Sequence, residues 1–485
     1  MSQPATEFKN LIGGEWSASV SGQTFVNINP ADTRDIVGRF QASNADDAHA
    51  AVQAASEAFG AWRRTPVSQR ATIVNKAAAW LEAHVDEFAM ELTREEGKPL
   101  AQSRDEILRS AQVLRFYATE AQTFTGETFP SDDPDLAIYT HREPLGVVTV
   151  ITPWNFPISI PARKIAPALM AGNTVVFKPS SDAPMIGYRL AEAFAQAGIP
   201  SGVLNFITGQ ASAIGSTITT SPEVRAVTFT GSTTAGEHIH RSVPITTRTQ
   251  MELGGKNPLI VLDDADLDKA VDLTIKGGLS LAGQACTGTS RVLVMEQVCA
   301  AYTAKLVEKI RTLKIGSGLT PGMDMGPLAT RQQLENVLMY VESGKHQATH
   351  LIGGERLGGA AYEHGYYVTP AVFTDVTQDM RICREEIFGP VIAIVSVKDY
   401  DDAIAKANDT EYGLSAAIVT SNARYMHRFA DEIEAGTVKI NRTTTGNVIN
   451  APFGGLKRSS TSTFRESGRA GLEFFMQIKT VYRGI

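Results

Sequence analysis

Between Gly146 and about Gly255 short apolar runs alternate with helical patterns, and this alternation constrains the fold more than any other feature of the chain. Val147 to Ile151, Thr174 to Phe177, Val203 to Ile207 and Ala226 to Phe229 read as strands, largely apolar throughout. Ile158 to Met170, Pro184 to Gln196 and Ala211 to Thr219 lie between them with helical periodicity. Apolar strands joined by helical crossovers predict a parallel sheet covered on both faces. In such sheets ligands bind beyond the carboxyl ends of the strands. The pattern returns with a strand at Leu259 to Leu262, a helix over Leu267 to Leu281 and a strand over Arg291 to Met295. A helix over Cys299 to Leu313, a strand over Val391 to Val395 and a helix over Tyr400 to Asn408 continue it. Two α/β lobes are expected, meeting near Glu252-Leu253-Gly254-Gly255.

The flanks are different. Residues 10 to 40 hold short strand-like pieces broken by Gly13-Gly14, Gly22 and Asn29-Pro30, and Asn44 to Asp47 open an alanine-rich helix to about Phe59. Helical patterns run from Ser68 to near Gly97-Lys98-Pro99 and from about Ala101 to Phe124. Thr125 to Arg142 breaks this style with Pro130 and Pro134 and then alternates like a strand. Lys479 to Tyr482, near the end, is strand-like too and is a candidate to pair with it. At 485 residues the chain has room for two or three domains. Its net charge of −7 argues against nucleic acid and membrane surfaces, which select basic patches. No run approaches the length of a membrane span, and the start, Met1 to Asn10, has no apolar signal core. Three cysteines, Cys286, Cys299 and Cys383, imply no disulfide framework, so a reducing cytoplasm is the expected compartment.

One cysteine and four loops carry the polar chemistry. Cys286 sits in Gly283-Gln284-Ala285-Cys286-Thr287-Gly288, a small-residue loop between an apolar helix and a strand. Such a loop aims a nucleophile, yet a free cysteine also serves as a small buried filler. Pro153-Trp154-Asn155-Phe156-Pro157 holds one amide in a stiff apolar turn, suited to stabilising an oxyanion or simply to satisfying turn backbone. Lys178-Pro179-Ser180-Ser181 offers an ammonium and hydroxyls at a strand end, fit for a nucleotide's ribose or phosphate or merely solvated. Gly231-Ser232-Thr233 opens a helix, either as a phosphate cradle or as an ordinary cap. Glu252, between apolar neighbours and ahead of paired glycines, reads as a general base or as a surface carboxylate.

Together with Glu386-Ile387-Phe388-Gly389-Pro390 and Pro452-Phe453-Gly454-Gly455, these motifs occur in the order and spacing of the aldehyde dehydrogenase superfamily, and the resemblance covers roughly Leu11 to Val481. It implies a fold with a Rossmann-like cofactor domain, an α/β catalytic domain and a β oligomerisation arm. On this chain those are 1–124 with 143–254, then 255–455, then 125–142 with 456–485. It implies NAD(P)-dependent oxidation of an aldehyde, without a metal. Cys286 is then the nucleophile, Asn155 the oxyanion donor and Glu252 the base that admits water to a thioester. Lys178, Ser181, Gly231, Ser232, Glu386, Phe388 and Trp154 fall to the cofactor, and Arg163, Phe156, Thr287 and Phe453 to the substrate. Family members are usually dimers or tetramers.

Departures from the common pattern are informative. Many NAD-specific members carry a glutamate where this chain has Ser181; its absence removes repulsion of a 2′-phosphate, so NADP is expected to be accepted and weakly preferred over NAD. Arg163 lies eight residues, about two helical turns, beyond Asn155, where many relatives have an aromatic residue. A guanidinium there suits a substrate's distal carboxylate, although a surface ion pair is the ordinary use of arginine. Members acting on succinic semialdehyde share this arginine and often carry another six residues before the cysteine, where Ser280 stands here. The segments Asn441 to Gly446 and Pro452 to Glu466 resemble the branch that acts on 2-oxoglutarate semialdehyde.

Overall fold

The computed structural model describes residues 6–461 and 463–484; Ser462, within the C-terminal run just named, lies outside the described residues, as do the chain ends 1–5 and 485 of the domain limits. Two seven-stranded sheets organise it. The first runs in the order Arg248–Glu252, Val224–Thr230, Val147–Ile151, Thr174–Lys178, Leu204–Phe206, Asn10–Ile12, Glu15–Ser17. Its first five strands are parallel and the last two antiparallel. The central strands Val147–Ile151 and Thr174–Lys178 are largely apolar because helices cover both faces, while the edge strand Arg248–Glu252 is mostly polar. Ser159–Ala171 and Leu100–Glu120 bury one face through Leu114, Ile165 and Leu169, while Ala45–Trp62 and Ala211–Thr220 bury the other through Ala51, Val52 and Ile214.

The second sheet has the order Thr349–Ile352, Ala371–Thr374, Val391–Val397, Thr289–Met295, Asn257–Val261, Ser415–Val419, Thr437–Ile440, parallel except at the first strand. Residues 253–256 join the edge strand of the first sheet to a central strand of the second, so the junction expected near Glu252–Gly255 is where the chain changes sheet. A third sheet pairs Met476–Gly484 antiparallel with Leu136–Pro144 along the whole length of both, with Thr128–Phe129 added at the side. This is the pairing expected of the two strand-like segments. The long strand runs on to Pro144, and within 456–475 Leu472, Phe474 and Phe475 pack into the core of the first lobe instead of joining that sheet.

Some elements differ from expectation. The helix anticipated from Ser68 to Gly97 is two, Val67–Ala83 and Val85–Glu96, parted at His84, whose backbone leaves the helical region (φ −111°, ψ 18°) while its Nδ1 meets the Trp80 carbonyl at 2.8 Å. Asp86 and Glu87 then restart a helix, favourable charges for its first turn. The helix over Leu267 to Leu281 stops at Gly278, and the turn that follows shapes the active site.

Candidate active site

The carboxyl ends of the first sheet face the amino ends of the second sheet's strands across a cavity of about 520 Å³. Ser280–Gly283 forms a tight turn at its edge in which Leu281 and Ala282 both sit at φ 52° and Gly283 at φ 74°. Two side-chain-bearing residues in the left-handed region cost about 1–2 kcal/mol each, so the surrounding packing must impose this path. Gly283 is needed there twice over, since a Cβ would also collide with the backbone of Gly389. The turn delivers Cys286 half-buried onto the cavity wall. Asn257 fixes the loop from below, donating from Nδ2 to the carbonyls of Cys286 (2.8 Å) and Gly288 (3.0 Å).

Asn155 is buried and points at the same loop. Its Nδ2 donates to the Gln284 carbonyl at 2.9 Å, which leaves one amide N–H uncommitted, and its Oδ1 has no partner among the described residues. A buried pair holds it in place. Lys98 Nζ donates at 2.7 Å both to the Asn155 carbonyl and to Glu106 Oε2, and lies 4.8 Å from the centroid of the Phe156 ring. Glu106 Oε1 takes the N–H groups of Ile158 (3.3 Å) and Ser159 (3.1 Å), seating the helix that carries Arg163. Burial opposes the Lys98 charge, but Glu106 and Glu96 outweigh it and raise its pKa.

Glu252 ends the strand Arg248–Glu252 and reaches the cavity. It is only 3 % exposed, and neither carboxylate oxygen has a partner among the described residues. Burial, and then the carboxylate of Glu466, hold its pKa well above the ordinary range against the pull of Lys164, Arg465 and Arg163. Glu466 is itself bound by Lys164 Nζ at 2.8 Å. Burial, with Glu386 and Glu252 nearby, pushes the Cys286 thiol up to about 12. The site thus brings a protonated thiol, an unpartnered buried carboxyl and an aimed amide to one space, the components of nucleophilic acyl chemistry. Phe156, Thr287, Phe453 and Arg163 line the same space, with Arg163 Nη2 at 3.2 Å from Ser159 Oγ.

The residues expected at a nucleotide lie at strand ends of the first sheet and at the Glu386–Phe388 loop. In the first sheet the chain goes from Val147–Ile151 through two strands to one side and then returns to Val224–Thr230 on the other. The crevice at this switch, where such folds bind nucleotides, is bounded by the loops bearing Trp154 and Gly231-Ser232. Ser232 caps the helix Thr233–Ser242, whose first amides and dipole favour a phosphate. Lys178 Nζ is buried with only the Pro179 carbonyl (3.1 Å) to accept from it among the described residues, and burial lowers its pKa to about 8. Such a group has donors to spare for hydroxyl or phosphate oxygens. Ser181 Oγ donates to the Gly209 carbonyl at 3.0 Å. Glu386 takes the Gly255 N–H at 3.0 Å, against a Gly254 too close to allow a side chain, and Phe388 meets Trp154 edge-on at 5.4 Å between ring centroids. Lys98, Glu106, Glu466 and Arg109 join the sequence candidates on the cavity wall, with Asn257 behind the Cys286 loop. The signal for Glu106 was there: it shares a helix stripe with Ser103, Ile107, Ser110 and Leu114, and a carboxylate on a buried stripe needs a partner. No motif marks Asn257 or Arg109.

Fold and site together define an enzyme of nucleophilic aldehyde oxidation, and the model of the aldehyde dehydrogenase family matches residues 16–481: the chain belongs to that family. It is an oxidoreductase that uses a nicotinamide cofactor and a small-molecule aldehyde. The chain is 45% identical over 477 residues to the alpha-ketoglutaric semialdehyde dehydrogenase of Bacillus subtilis, covering 98% of each. To the alpha-ketoglutarate semialdehyde dehydrogenase of Haloferax volcanii it is 44% identical, again over 98% of each. Among solved structures, an NAD-dependent aldehyde dehydrogenase from Sinorhizobium meliloti superposes with a TM-score of 0.95 at 37% identity, covering 99% of this chain and 95% of that one. Among the described residues no helix is long and apolar enough to cross a membrane.

Proposed function

We propose that this enzyme oxidises 2-oxoglutarate semialdehyde to 2-oxoglutarate. The observation that carries the reading is Arg163 on the wall of the cavity that holds Cys286 and Glu252, in a chain whose near relatives act on that semialdehyde by name. Cys286, as thiolate, attacks the aldehyde carbon. The free N–H of Asn155 and the Cys286 backbone amide hold the oxyanion of the thiohemiacetal. When bound, the oxidised nicotinamide supplies the hydride acceptor, and its positive charge favours the thiolate. Loss of hydride leaves a thioester on Cys286. Glu252 takes a proton from the water that attacks this thioester, and the acid departs as the thiol is restored. A raised pKa makes Glu252 a stronger base once ionised. Arg163 binds the distal carboxylate, while Phe156, Thr287 and Phe453 shape the passage.

Lys178 and Ser181 would hold the adenosine ribose, Gly231 and Ser232 the pyrophosphate, and Glu386, Phe388 and Trp154 the nicotinamide end. With no carboxylate at Ser181, NADP is accepted and weakly preferred. Residues 1–124 and 143–254 form the cofactor domain and 255–455 the catalytic domain. At the segments 125–142 and 456–485, the paired strands Leu136–Pro144 and Met476–Gly484 form the bridge, through which the chain assembles as a homodimer or homotetramer. Ile478 and Tyr482 on the edge strand Met476–Gly484, and Phe129 on the opposite edge of the same sheet, are exposed apolar groups that a second copy would cover. The compartment is the reducing cytoplasm, which suits three free cysteines.

The test is kcat/KM for an aldehyde panel with NAD and NADP in parallel. The five-carbon 2-oxo semialdehyde should exceed succinic semialdehyde, and both should far exceed pentanal. Succinic semialdehyde in first place would make this a succinate-semialdehyde dehydrogenase, a reading that Ser280 in place of a second arginine disfavours. Equal rates on pentanal would remove the acid specificity altogether.

A further inference from the structure

Arg163 is not alone on its wall. Arg109, from the helix Leu100–Glu120, lines the same cavity, as does Lys276 nearer the surface. Nearby buried ammonium groups are neutralised by protein carboxylates, Lys98 by Glu106 and Lys164 by Glu466. Arg109, Arg163 and Lys276 have no carboxylate within 4.0 Å among the described residues. Both guanidinium groups rest on neutral acceptors only. Arg109 Nη2 donates to the Asn447 carbonyl and, at 3.4 Å, to Asn447 Oδ1, while Arg163 Nη2 donates to Ser159 Oγ. Each guanidinium carries five N–H groups, so most of the donors remain uncommitted. The acids on the wall form no ion pair with them among the described residues: Asp105 is exposed at the rim, Glu106 is taken by Lys98 and two backbone amides, Glu466 is taken by Lys164, and neither oxygen of Glu252 has a hydrogen-bond partner.

The two arginines are also ordered in depth. Arg163 is close enough to act on both Cys286 and Glu252, and it is the charge that, after burial, keeps the Arg109 pKa below its usual value. Arg163 bonds to the buried Ser159, beside the Asn155 loop, whereas Arg109 bonds to Asn447, whose neighbour Val448 is 60 % exposed, so Arg109 stands nearer the rim of the cavity. Two like charges facing one partly desolvated space repel each other, and a bound anion relieves both at once. One fork suffices for a plain carboxylate. A 2-oxo carboxylate presents the carboxylate oxygens and the keto oxygen together, enough acceptors for two forks.

We propose that Arg109 is the outer arm of an anion clamp: with Arg163 it grips the distal 2-oxo carboxylate, and it selects substrates one carbon longer than succinic semialdehyde. This rests on the semialdehyde-acid reading above, and it adds a residue and a chain-length rule to it.

The experiment compares the full-length wild type, Arg109→Gln, Arg163→Gln and the double variant on 2-oxoglutarate semialdehyde, succinic semialdehyde and pentanal at saturating cofactor. Arg109→Gln should lose about 10- to 100-fold in kcat/KM on 2-oxoglutarate semialdehyde, carried by KM, which is the range for a hydrogen bond to a charged group. The loss on succinic semialdehyde should be much smaller, and pentanal, which has nothing for a guanidinium to hold, reports that the variant is folded. Arg163→Gln should lose on both acids, and the double variant should lose less than the product of the single losses, because both arms hold one anion. Equal losses on all three aldehydes would show that Arg109 only pins the Asn447 loop, and no loss on either acid would place it outside the clamp. Equal losses on the two acids alone would overturn the chain-length rule. A wild type that does not prefer acids to pentanal would instead sink the substrate reading itself, and the clamp with it.

Discussion

Asn155 Nδ2 lies 2.9 Å from the carbonyl oxygen of Gln284, so the amide from the first lobe is tied to the loop of the second lobe that presents Cys286. One bond therefore sets the position of a donor relative to the thiol it serves. Lys98 fixes the same asparagine from behind through its backbone carbonyl. Donor and nucleophile are held before substrate arrives, and stabilisation of a developing oxyanion depends on that arrangement.

Asn155→Ala should accordingly lower kcat by about 10²–10³-fold, the usual effect of removing one oxyanion donor. Cofactor affinity, read by fluorescence titration, should change little, because the switch crevice keeps its other contacts. A kcat near wild type would take Asn155 out of the oxyanion site.

The reactivity of the thiol follows from its surroundings. With Cys286 pushed up to about 12 by burial and by Glu386 and Glu252, the thiol of the free enzyme is protonated at neutral pH and ionises only as pH rises. Alkylation of Cys286 by iodoacetamide without cofactor should therefore climb about tenfold per pH unit between pH 7 and 10, since the thiolate is the reactive form. Saturation of the rate near pH 8 would show a thiol already ionised and contradict this electrostatic picture.

Cofactor choice is tested at Ser181. If Ser181 faces the ribose as proposed, Ser181→Glu puts a carboxylate there whose repulsion of a 2′-phosphate costs several kcal/mol, so kcat/KM with NADP should fall by at least about tenfold while NAD is retained. An unchanged NADP/NAD ratio would show that Ser181 does not face the 2′-position.

The parts of the molecule that were legible beforehand share a physical cause. Strands such as Val147–Ile151 and Thr174–Lys178 are buried on both faces, so their apolar runs are continuous and short, and helices between them keep their period. The Cys286 loop and the Glu252 junction stood out because small residues and glycines surround a single reactive group. The turn at Leu281-Ala282 did not, because nothing local asks alanine and leucine to adopt φ 52°; packing against Gly389 and the Gln284 contacts impose it. His84 was hidden for the opposite reason, an unremarkable residue inside an unbroken helical pattern. Strands Ala371–Thr374 and Thr437–Ile440 are only four residues long, too short for their periodicity to separate them from loop. Arg109 was out of reach: its helix reads as packing, and only the fold brings it to a cavity whose nucleophile lies far along the chain.

The central claim is a thioester on Cys286 that Glu252 helps water to break. Its most direct test is the acid-quenched mass of Glu252→Gln after a short reaction with 2-oxoglutarate semialdehyde and NADP, followed by peptide mapping. With the base removed, acylation proceeds and hydrolysis stalls, so one reduced cofactor should form per active site before turnover slows. The peptide containing Cys286 should gain the mass of the substrate less one hydride and one proton. An unmodified Cys286, or an adduct on Cys299 or Cys383 in its place, would contradict the account.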